Sequence, residues 1–472
     1  MKRELLCGLA GILGGASYAA AFEPYGQPAL AWVALALPLT AIAVADLRGA
    51  FVAGFFFGIT QAALSIHWMW GLFGAMSLSL FVIYAAYSAI AFSFAQAVVE
   101  RFGRHALMWG VPAVFVSVEW LRSEGWWLKF AFFTAGSSQH SNVWLLQTAS
   151  WWGVYGLSAI VIAANGAIAY VAITRKWRVA VIAALAVAAL HGAGRIVLSL
   201  QPSKDGPGLE VASIEGSFLW TGAFEKRVDE AMALAPGTQL VVLPEFASNE
   251  ELSEGHEDMK AMVAVARKHG VTLVFGGKEK QGDDFRNTLF VLGPDGRLLG
   301  RQAKSVPVPF FRDGLPAIDR APVATPAGLL GCATCYDMDF PFVARELVNE
   351  GAELLVFPTM EVAGAAQKRQ HLELAALRAV EHRRWIVRCA SSGISCLVDP
   401  CGRVTVGGGV MCARVERRTG KTLYTRVGYG FPHVCVIVAV ALILIAAKRS
   451  RRPPSVEGPR AAARSVGSRE RR

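Results

Sequence analysis

Three polar side chains stand where apolar stretches of the sequence end, and their types are those that thiol chemistry uses. Glu245 follows Leu-Val-Val-Leu-Pro, Lys304 follows Leu-Leu-Gly-Arg-Gln-Ala, and Cys335 follows Leu-Leu-Gly-Cys-Ala-Thr. A carboxylate can take the proton of a thiol, and an ammonium group can lower the thiol pKa and stabilise an oxyanion. The thiolate can then attack a carbonyl carbon. Each residue alone would be read as an ordinary loop or core residue, so the prediction rests on the three together.

A second cysteine, Cys332, stands three residues before Cys335. The pair could be read as a redox dithiol, but an extended strand points residues three apart to opposite faces, so only one thiol can face a cleft. A helix that starts near Phe340 would add backbone N–H groups that stabilise the thiolate. The eight cysteines show neither a disulfide framework nor the spacing of a metal site. We therefore expect a reactive thiol without a metal or another cofactor.

Much of the chain has the composition of a membrane protein. Its 472 residues are 54% hydrophobic, which is high for a soluble protein of this length. Apolar runs of roughly membrane-spanning length recur before residue 200, and a shorter one comes near the end. The runs are Leu5–Phe22, Ala29–Ala45, Phe51–Phe73, Ser77–Val99, Ala106–Trp120, Trp151–Ile173, Val179–Leu198 and His433–Ala447. The first resembles a signal peptide, but the later runs favour a retained helix.

The charges between these runs predict how the chain crosses the membrane. Lys and Arg occur at the N-terminus and after the second, fourth and sixth runs, whereas the connections after the first and third have none. The connection after the fifth run, with Arg122 and Lys129, is an exception. Because basic loops stay in the cytoplasm, we expect both termini inside and residues 201–431 on the periplasmic face of the inner membrane.

The net charge of +11 is concentrated at the C-terminus. Residues 448–472 hold nine Lys or Arg against two Glu, which gives +7 in this segment. This composition favours a solvated tail near anionic lipid headgroups and argues against a nucleic-acid-binding fold. The predicted organisation is a bundle of about seven transmembrane helices (1–200), a periplasmic domain (201–431), a C-terminal transmembrane helix (432–447) and the basic cytoplasmic tail.

Between residues 201 and 431, short apolar strands alternate with amphipathic helices, which predicts a layered α/β domain. The predicted strands are Leu209–Ser213, Gln239–Leu243, Thr272–Gly276, Thr288–Leu292, Leu329–Ala333, Leu354–Phe357, Trp385–Ala390 and Ser395–Val398. The predicted helices are Glu225–Leu234, Met259–His269, Phe340–Glu350 and Arg369–Arg383.

Three stretches occur in an order that is familiar from one superfamily. They are LPEFA around Glu245, NTLFVLGPDGRLLGRQAK ending at Lys304, and CYDMDFP starting at Cys335. Together they resemble the carbon–nitrogen hydrolase, or nitrilase, superfamily, whose members share an αββα sandwich and a Glu-Lys-Cys triad. The resemblance implies this sandwich for the domain that the loop charges place outside the membrane, with Glu245 as base, Lys304 as the triad lysine and Cys335 as nucleophile. The Cys-Tyr-acidic motif selects Cys335 over Cys332.

Further motifs, several of them in the membrane portion, are similar to the apolipoprotein N-acyltransferase family. They are Phe22-Glu-Pro-Tyr with Ala31-Trp-Val, Gly54–Trp70, Glu119-Trp-Leu-Arg122, Gly153-Val-Tyr-Gly-Leu157, Gln370-His-Leu, Leu377-Arg-Ala-Val-Glu381, Ser392-Gly-Ile-Ser395 and Thr422-Leu-Tyr-Thr-Arg426. The resemblance implies an enzyme that takes an acyl chain from a phospholipid as a cysteine thioester. The acyl chain then passes to the α-amine of the diacylglyceryl-modified N-terminal cysteine of a lipoprotein.

The chain departs from this family near the triad. In the family pattern Val-Pro-Phe-Gly-Glu the Glu position is Arg312 here, and Asp313 follows it. The family's Glu after Cys-Tyr is the shorter Asp337. Asp313, Asp337 and Tyr336 are candidate supporting residues beside the triad.

Two arrangements of the loop at Arg312 are open. If Arg312 faces the cleft, it would add to Lys304 in lowering the Cys335 pKa and would attract a lipid phosphate. A slip of one residue, which Gly314 permits, would instead turn Asp313 inward and leave Arg312 in solvent. We favour the slip because charged residues prefer solvent.

Two longer segments also differ from the family. Thr359–Gly364 replaces Asn-Asp-Ala-Trp-Phe-Gly, and Leu128–Ala131 replaces Gly-Phe-Pro-Trp. These differences leave two alternatives open. One is a membrane-bound amidase or acyltransferase of the same superfamily that uses another amine, and the other is a non-catalytic relative.

Overall fold

The computed structural model describes residues 2–201, 206–216, 223–253 and 255–450. The predicted basic tail lies outside the described residues from position 451 onward. Residues 2–201 form a helical bundle. Its helices are α1 (Lys2–Ala20), α2 (Ala36–Ile42), α3 (Leu47–Ser65), α4 (Met69–Phe73), α5 (Ser77–Phe102), α6 (Gly110–Trp120), α7 (Val143–Leu146), α8 (Ala149–Thr174) and α9 (Trp177–Ser199).

Two six-stranded sheets follow the bundle and pack face to face. The strands are β1 (Gly208–Ile214), β2 (Leu240–Val242), β3 (Thr272–Gln281), β4 (Asp284–Leu292), β5 (Leu298–Ala303), β6 (Val323–Thr325), β7 (Gly328–Cys332), β8 (Leu354–Thr359), β9 (Ile386–Ala390), β10 (Ser395–Val398), β11 (Val404–Gly407) and β12 (Val410–Glu416). The first sheet has the order β12-β1-β2-β3-β4-β5 and the second β11-β10-β9-β8-β7-β6.

Helices cover the outer faces of both sheets. The helices of this part of the chain are α10 (Ala223–Leu234), α11 (Glu257–His269), α12 (Pro341–Asn349), α13 (Ala365–His382) and α14 (Leu423–Val427). The first two pack on the first sheet, and α12 and α13 pack on the second. The final helix, α15 (Gly430–Ser450), returns to the bundle and packs against α6. The predicted αββα sandwich beside a helical bundle is confirmed.

The alternation of apolar side chains explains how each strand is buried on both faces. In β2 and the residue after it, Leu240 and Val242 face the second sheet, whereas Val241 and Leu243 face α10 and α11. All four side chains are buried. A strand with two apolar faces belongs in the interior of a layered domain, which is the position of β2 in its sheet.

Five of the described helices are long and apolar enough to cross a membrane. They are Leu47–Ser65, Met69–Phe102, Ala149–Thr174, Trp177–Ser199 and Gly430–Lys448. The second of these combines α4, α5 and the turn between them. In the apolar run Ala29–Ala45 the helix is broken, because a 3₁₀ turn over Pro28–Trp32 precedes the short α2. The Asn165 side chain accepts the Leu35 N–H at 2.9 Å and donates to the Ala31 carbonyl at 2.8 Å. It thereby satisfies backbone groups that the break in the helix frees.

The directions of the strands determine where the loops meet. Strands β1, β2 and β3 are parallel, β4 is antiparallel to them, and β5 runs parallel to β3 again. In the second sheet β7, β8 and β9 are parallel. The carboxyl ends of β2 and β5 therefore share one edge of the first sheet, and those of β7 and β8 share one edge of the second.

Candidate active site

The loops after these four strand ends bring Glu245, Lys304 and Cys335 together. Glu245 and Lys304 are buried, and the Lys304 Nζ lies 3.0 Å from the Glu245 Oε1. Met360, just after β8, joins the base to the thiol through its backbone. Its N–H donates to the Glu245 Oε2 at 2.7 Å, and its carbonyl accepts from the Cys335 Sγ at 3.4 Å. The backbone of one residue, Met360, thus links the Glu245 carboxylate to the Cys335 thiol.

A second carboxylate completes the surroundings of Lys304. The Asp313 Oδ2 lies 2.7 Å from the Lys304 Nζ and accepts the Val308 N–H at 2.8 Å. Asn287 donates to the Glu245 Oε1 at 2.7 Å and to the Asp313 Oδ1 at 3.0 Å. Burial lowers the Lys304 pKa, but the two carboxylates outweigh burial and raise it well above its usual value. Lys304 is therefore a permanent ammonium.

The loop that carries Asp313 has the slipped arrangement. Phe310 and Gly314 have φ values of 68° and 86°, and these two turns direct Asp313 inward. The Arg312 side chain is exposed, with its Cζ 6.0 Å from the centroid of the Phe285 ring. Asp313 thus supplies the carboxylate that the family has at the position of Arg312.

Cys335 lies on a strained turn after β7. Its φ is 47°, in the left-handed region that residues with a Cβ rarely adopt. One 3₁₀ turn over Cys335–Asp339 follows, and α12 begins at Pro341. The predicted start of this helix near Phe340 is confirmed, and the thiol lies one 3₁₀ turn before it. Cys332 is buried between the sheets, away from the cleft.

The Asp337 carboxylate accepts hydrogen bonds from backbone N–H groups in two loops, the one that begins at Lys304 and the one that carries Cys335. Its carboxylate accepts the Thr334 N–H at 3.1 Å, the Ser305 N–H at 3.0 Å and the Val306 N–H at 2.8 Å. Burial raises the Asp337 pKa to about 6, against the effect of these hydrogen bonds. The contacts tie the turn of the cysteine to the loop after β5.

Tyr336 fastens the same turn to the bundle. Its hydroxyl donates to the Lys129 carbonyl at 2.6 Å. The Tyr336 ring lies edge-on to Phe340, with 4.9 Å between the ring centroids. Tyr336 therefore connects the helical bundle to the turn that carries Cys335.

A buried histidine that the sequence analysis did not single out as a site residue holds the strained turn. The His371 Nε2 donates to the Cys335 carbonyl at 3.2 Å and lies 3.1 Å from the Asp339 Oδ1. The His371 Nδ1 lies 2.7 Å from the Glu361 Oε1, which also pairs with Arg388 at 2.9 Å. Burial lowers the His371 pKa, but the carboxylates raise it to about 9. An imidazolium thus stands behind the nucleophile.

The thiol itself is harder to ionise than we expected from the neighbouring lysine. Burial raises the Cys335 pKa well above its usual value, and Glu245 raises it further. Lys304 lowers the pKa, but its effect is smaller. The resting cysteine is therefore a neutral thiol. The Glu245 carboxylate is linked to it through the Met360 backbone.

An apolar pocket of about 170 Å³ reaches Cys335 from the bundle. Its walls include the aromatic residues Trp68, Phe73, Tyr84, Phe130, Phe132 and Phe310. Both segments that depart from the family, Leu128–Ala131 and Thr359–Gly364, contribute to its lining. Such a pocket can hold an apolar chain and exclude water from the thiol.

The sequence matches two family models. The carbon-nitrogen hydrolase model covers residues 167–411, and the model for the N-terminal domain of apolipoprotein N-acyltransferase covers residues 14–167. The chain belongs to the carbon–nitrogen hydrolase family. Its strand ends with Glu245, Lys304 and Cys335 lie within the matched region.

Two relatives resemble this carbon–nitrogen hydrolase along nearly its whole length. The apolipoprotein N-acyltransferase of Gloeobacter violaceus is 29% identical over 502 residues and covers 95% of both chains. That of Geobacter metallireducens is 26% identical and covers 93% of this chain and 95% of its own. Human deaminated glutathione amidase is 29% identical over 40% of this chain and 68% of its own length. The predicted resemblance to the superfamily, and within it to the acyltransferases, is confirmed.

We predict that the two cysteines of the turn differ in their roles. Cys335→Ser should abolish the acyl-enzyme, because a hydroxyl ionises far less readily than a thiol. Cys332→Ala should retain the adduct and lose only packing, roughly 1–3 kcal/mol of stability. Mass spectrometry of the intact protein after incubation with phospholipid vesicles measures the adduct. Retention by Cys335→Ser with loss by Cys332→Ala would assign the nucleophile to the other cysteine.

Asp313→Asn should slow acyl-enzyme formation about a hundredfold. The substitution leaves Glu245 as the ion partner of Lys304, so the base is held more tightly and accepts a proton less readily. Single-turnover formation of the acyl-enzyme measures the effect. Asp319→Asn, an exposed change farther along the chain, is the matched control and should leave the rate within twofold. Equal rates for the two variants would contradict a role for Asp313.

Stability should fall as pH rises from about 6.5 to about 9. The folded protein holds the His371 proton more tightly than the unfolded chain does, so its stabilising effect is complete below the unfolded pKa and is lost through the folded one. The midpoint of thermal unfolding in detergent micelles measures this. His371→Gln should flatten the dependence in this window, and an unchanged slope would show that another group titrates there.

Proposed function

We propose that this protein is an apolipoprotein N-acyltransferase. It would move an acyl chain from a phospholipid, through a thioester on Cys335, to the α-amine of the diacylglyceryl-modified N-terminal cysteine of a lipoprotein. The observation that carries the proposal is the apolar pocket, because helices of the bundle form one wall of it and the buried thiol lies at its side. A soluble amidase would not need a pocket wall that is formed by membrane helices.

The first half-reaction uses the base and the ammonium. Glu245 takes the Cys335 proton as the sulfur attacks the ester carbonyl carbon of the phospholipid. The Lys304 ammonium is the positive charge nearest the new oxyanion. Collapse of the tetrahedral intermediate breaks the ester C–O bond, and the proton on Glu245 passes to the leaving lysophospholipid oxygen. The products are a thioester and a lysophospholipid.

In the second half-reaction Glu245 again acts first as base and then as acid. The neutral α-amine of the acceptor attacks the thioester carbonyl carbon, and Glu245 takes a proton from the attacking nitrogen. Breaking the C–S bond forms the amide, and the proton returns to the sulfur of Cys335. The starting thiol is restored, which agrees with a site that favours the neutral form. The cycle needs neither metal nor cofactor.

The expected arrangement in the membrane belongs to the same proposal. The bundle (1–200) and the helix at 432–447 would lie in the inner membrane, the catalytic domain (201–431) in the periplasm and the tail (448–472) in the cytoplasm. The distribution of basic loops supports this orientation. A reporter that is active only in the periplasm should work when inserted after Gly255 and fail when fused after Arg452. The opposite pattern would reverse the topology.

Complementation tests the activity. In a strain depleted of its own N-acyltransferase, the wild-type gene should restore growth and Cys335→Ala should not. Mass spectrometry of lipoprotein N-terminal peptides should show the third acyl chain only with the wild type. A thioester without an N-acylated product would favour hydrolysis or another amine acceptor. Failure of a thiol-reactive lipid probe to label the wild type would favour a non-catalytic relative.

A further inference from the structure

A second cavity lies beside residues that neighbour the triad, since Phe246 follows Glu245 directly and Met360 contacts both Glu245 and Cys335. This polar cleft has a volume of about 630 Å³ and is open to solvent. Residues that line it include Phe246, His256, Lys278, Phe285, Arg312 and Met360. Polar atoms dominate its surface, in contrast to the pocket that the bundle helps to form.

The polar cleft and the apolar pocket share one lining residue, Met360, which lies beside the reacting groups. Met360 lines both cavities, and its backbone contacts the Glu245 carboxylate and the Cys335 sulfur. Phe246, which follows Glu245 directly, lines only the cleft and has a φ of 49°. A substrate can therefore keep its lipid part in the pocket while its polar part leaves through the cleft.

The charges in the cleft are uneven. The Lys278 Nζ lies 5.6 Å and the Arg312 Cζ 6.0 Å from the centroid of the Phe285 ring, so two cations share one aromatic platform. Within the part of the chain that the structure describes, neither cation forms an ion pair. Two acidic residues, Glu250 and Glu251, also line the cleft. Glu251 pairs with Lys280 at 3.7 Å, so Glu250 is the acidic lining residue that can offset the charge of the two cations.

We propose that the polar cleft binds the peptide of the acceptor lipoprotein and favours acidic residues directly after its lipidated cysteine. The inference rests on the proposed function. The acceptor amine must reach the thioester carbon, and the peptide leaves from the same α-carbon as the amine. The apolar pocket cannot solvate a charged peptide. The cleft can, because Lys278 and Arg312 would lie near the residues that follow the lipidated cysteine. Arg312, which stands where the family has Glu, makes this preference a property of this chain.

The test compares two synthetic acceptors with the purified full-length protein in detergent micelles that contain phosphatidylethanolamine. Both are diacylglyceryl-cysteine peptides, and the next two residues are Asp in one and Lys in the other. We expect a KM about fivefold lower for the Asp peptide, as is typical of charge pairs at an exposed site. Arg312→Glu should reverse the order of the two KM values. The difference should shrink at about 0.5 M salt.

Arg297→Glu is the matched control, since it makes the same charge change at the far end of β5 and should leave both KM values unchanged. Equal KM values for the two peptides with the wild type would overturn the inference, as would an Arg312→Glu effect of the same factor on both. A change in the rate of thioester formation would assign the cleft to the donor headgroup instead. Absence of the thioester from the wild type would overturn the proposed function itself.

Discussion

A buried ammonium between two carboxylates is the interaction on which the site depends. Lys304 lies 3.0 Å from Glu245 and 2.7 Å from Asp313, and all three are nearly inaccessible to water. Removal of one partner from such a group is costly, because an uncompensated charge stays buried. Burial, and after it the Glu245 carboxylate, raise the pKa of the adjacent Cys335 thiol, so the thiol stays protonated. In the proposed mechanism, the carboxylate that disfavours the thiolate at rest is also the group that accepts its proton during attack.

The nucleophile turn is held from two directions. On the side of the lysine, Asp337 accepts N–H groups from both loops. On the other side, His371 donates to the Cys335 carbonyl and is fixed by Glu361. Strained backbone persists only where its surroundings determine it, and here two buried polar groups do so. The two clusters fix the sulfur at one position relative to the Glu245 base.

The sequence was sufficient to predict the sandwich and the strand ends that bring Glu245, Lys304 and Cys335 together, because both leave local signals. Continuous apolar runs predicted β2 and β7, and a charged or thiol residue after each marked the strand ends. The edge strand β12 carries no such signal, since its residues are mostly half-exposed and only Val415 is fully buried. It is fixed by its antiparallel pairing with β1, which is about 200 residues away in sequence and leaves no local pattern.

The parts of the site that escaped prediction depend on contacts between distant segments. Asn287 opens a stretch that marked the family, yet only the fold shows that its amide bridges two carboxylates. His371 belongs to Gln370-His-Leu, a motif noted for its resemblance alone. Its role emerges from its position 36 residues from Cys335, on a helix packed behind it. Polar residues in the interior are informative only when their partners are known.

The contacts of α13 with the bundle explain why a membrane portion can serve a thiol on a separate sandwich. Gln370 accepts from the Trp68 indole at 2.9 Å and donates to the Glu23 carbonyl at 2.7 Å. Farther along the helix, Glu381 accepts the Val154 N–H at 2.9 Å. These hydrogen bonds join the bundle to the helix that also carries His371, which donates to the Cys335 carbonyl. The wall of the apolar pocket and the turn of the cysteine are therefore both fixed to α13.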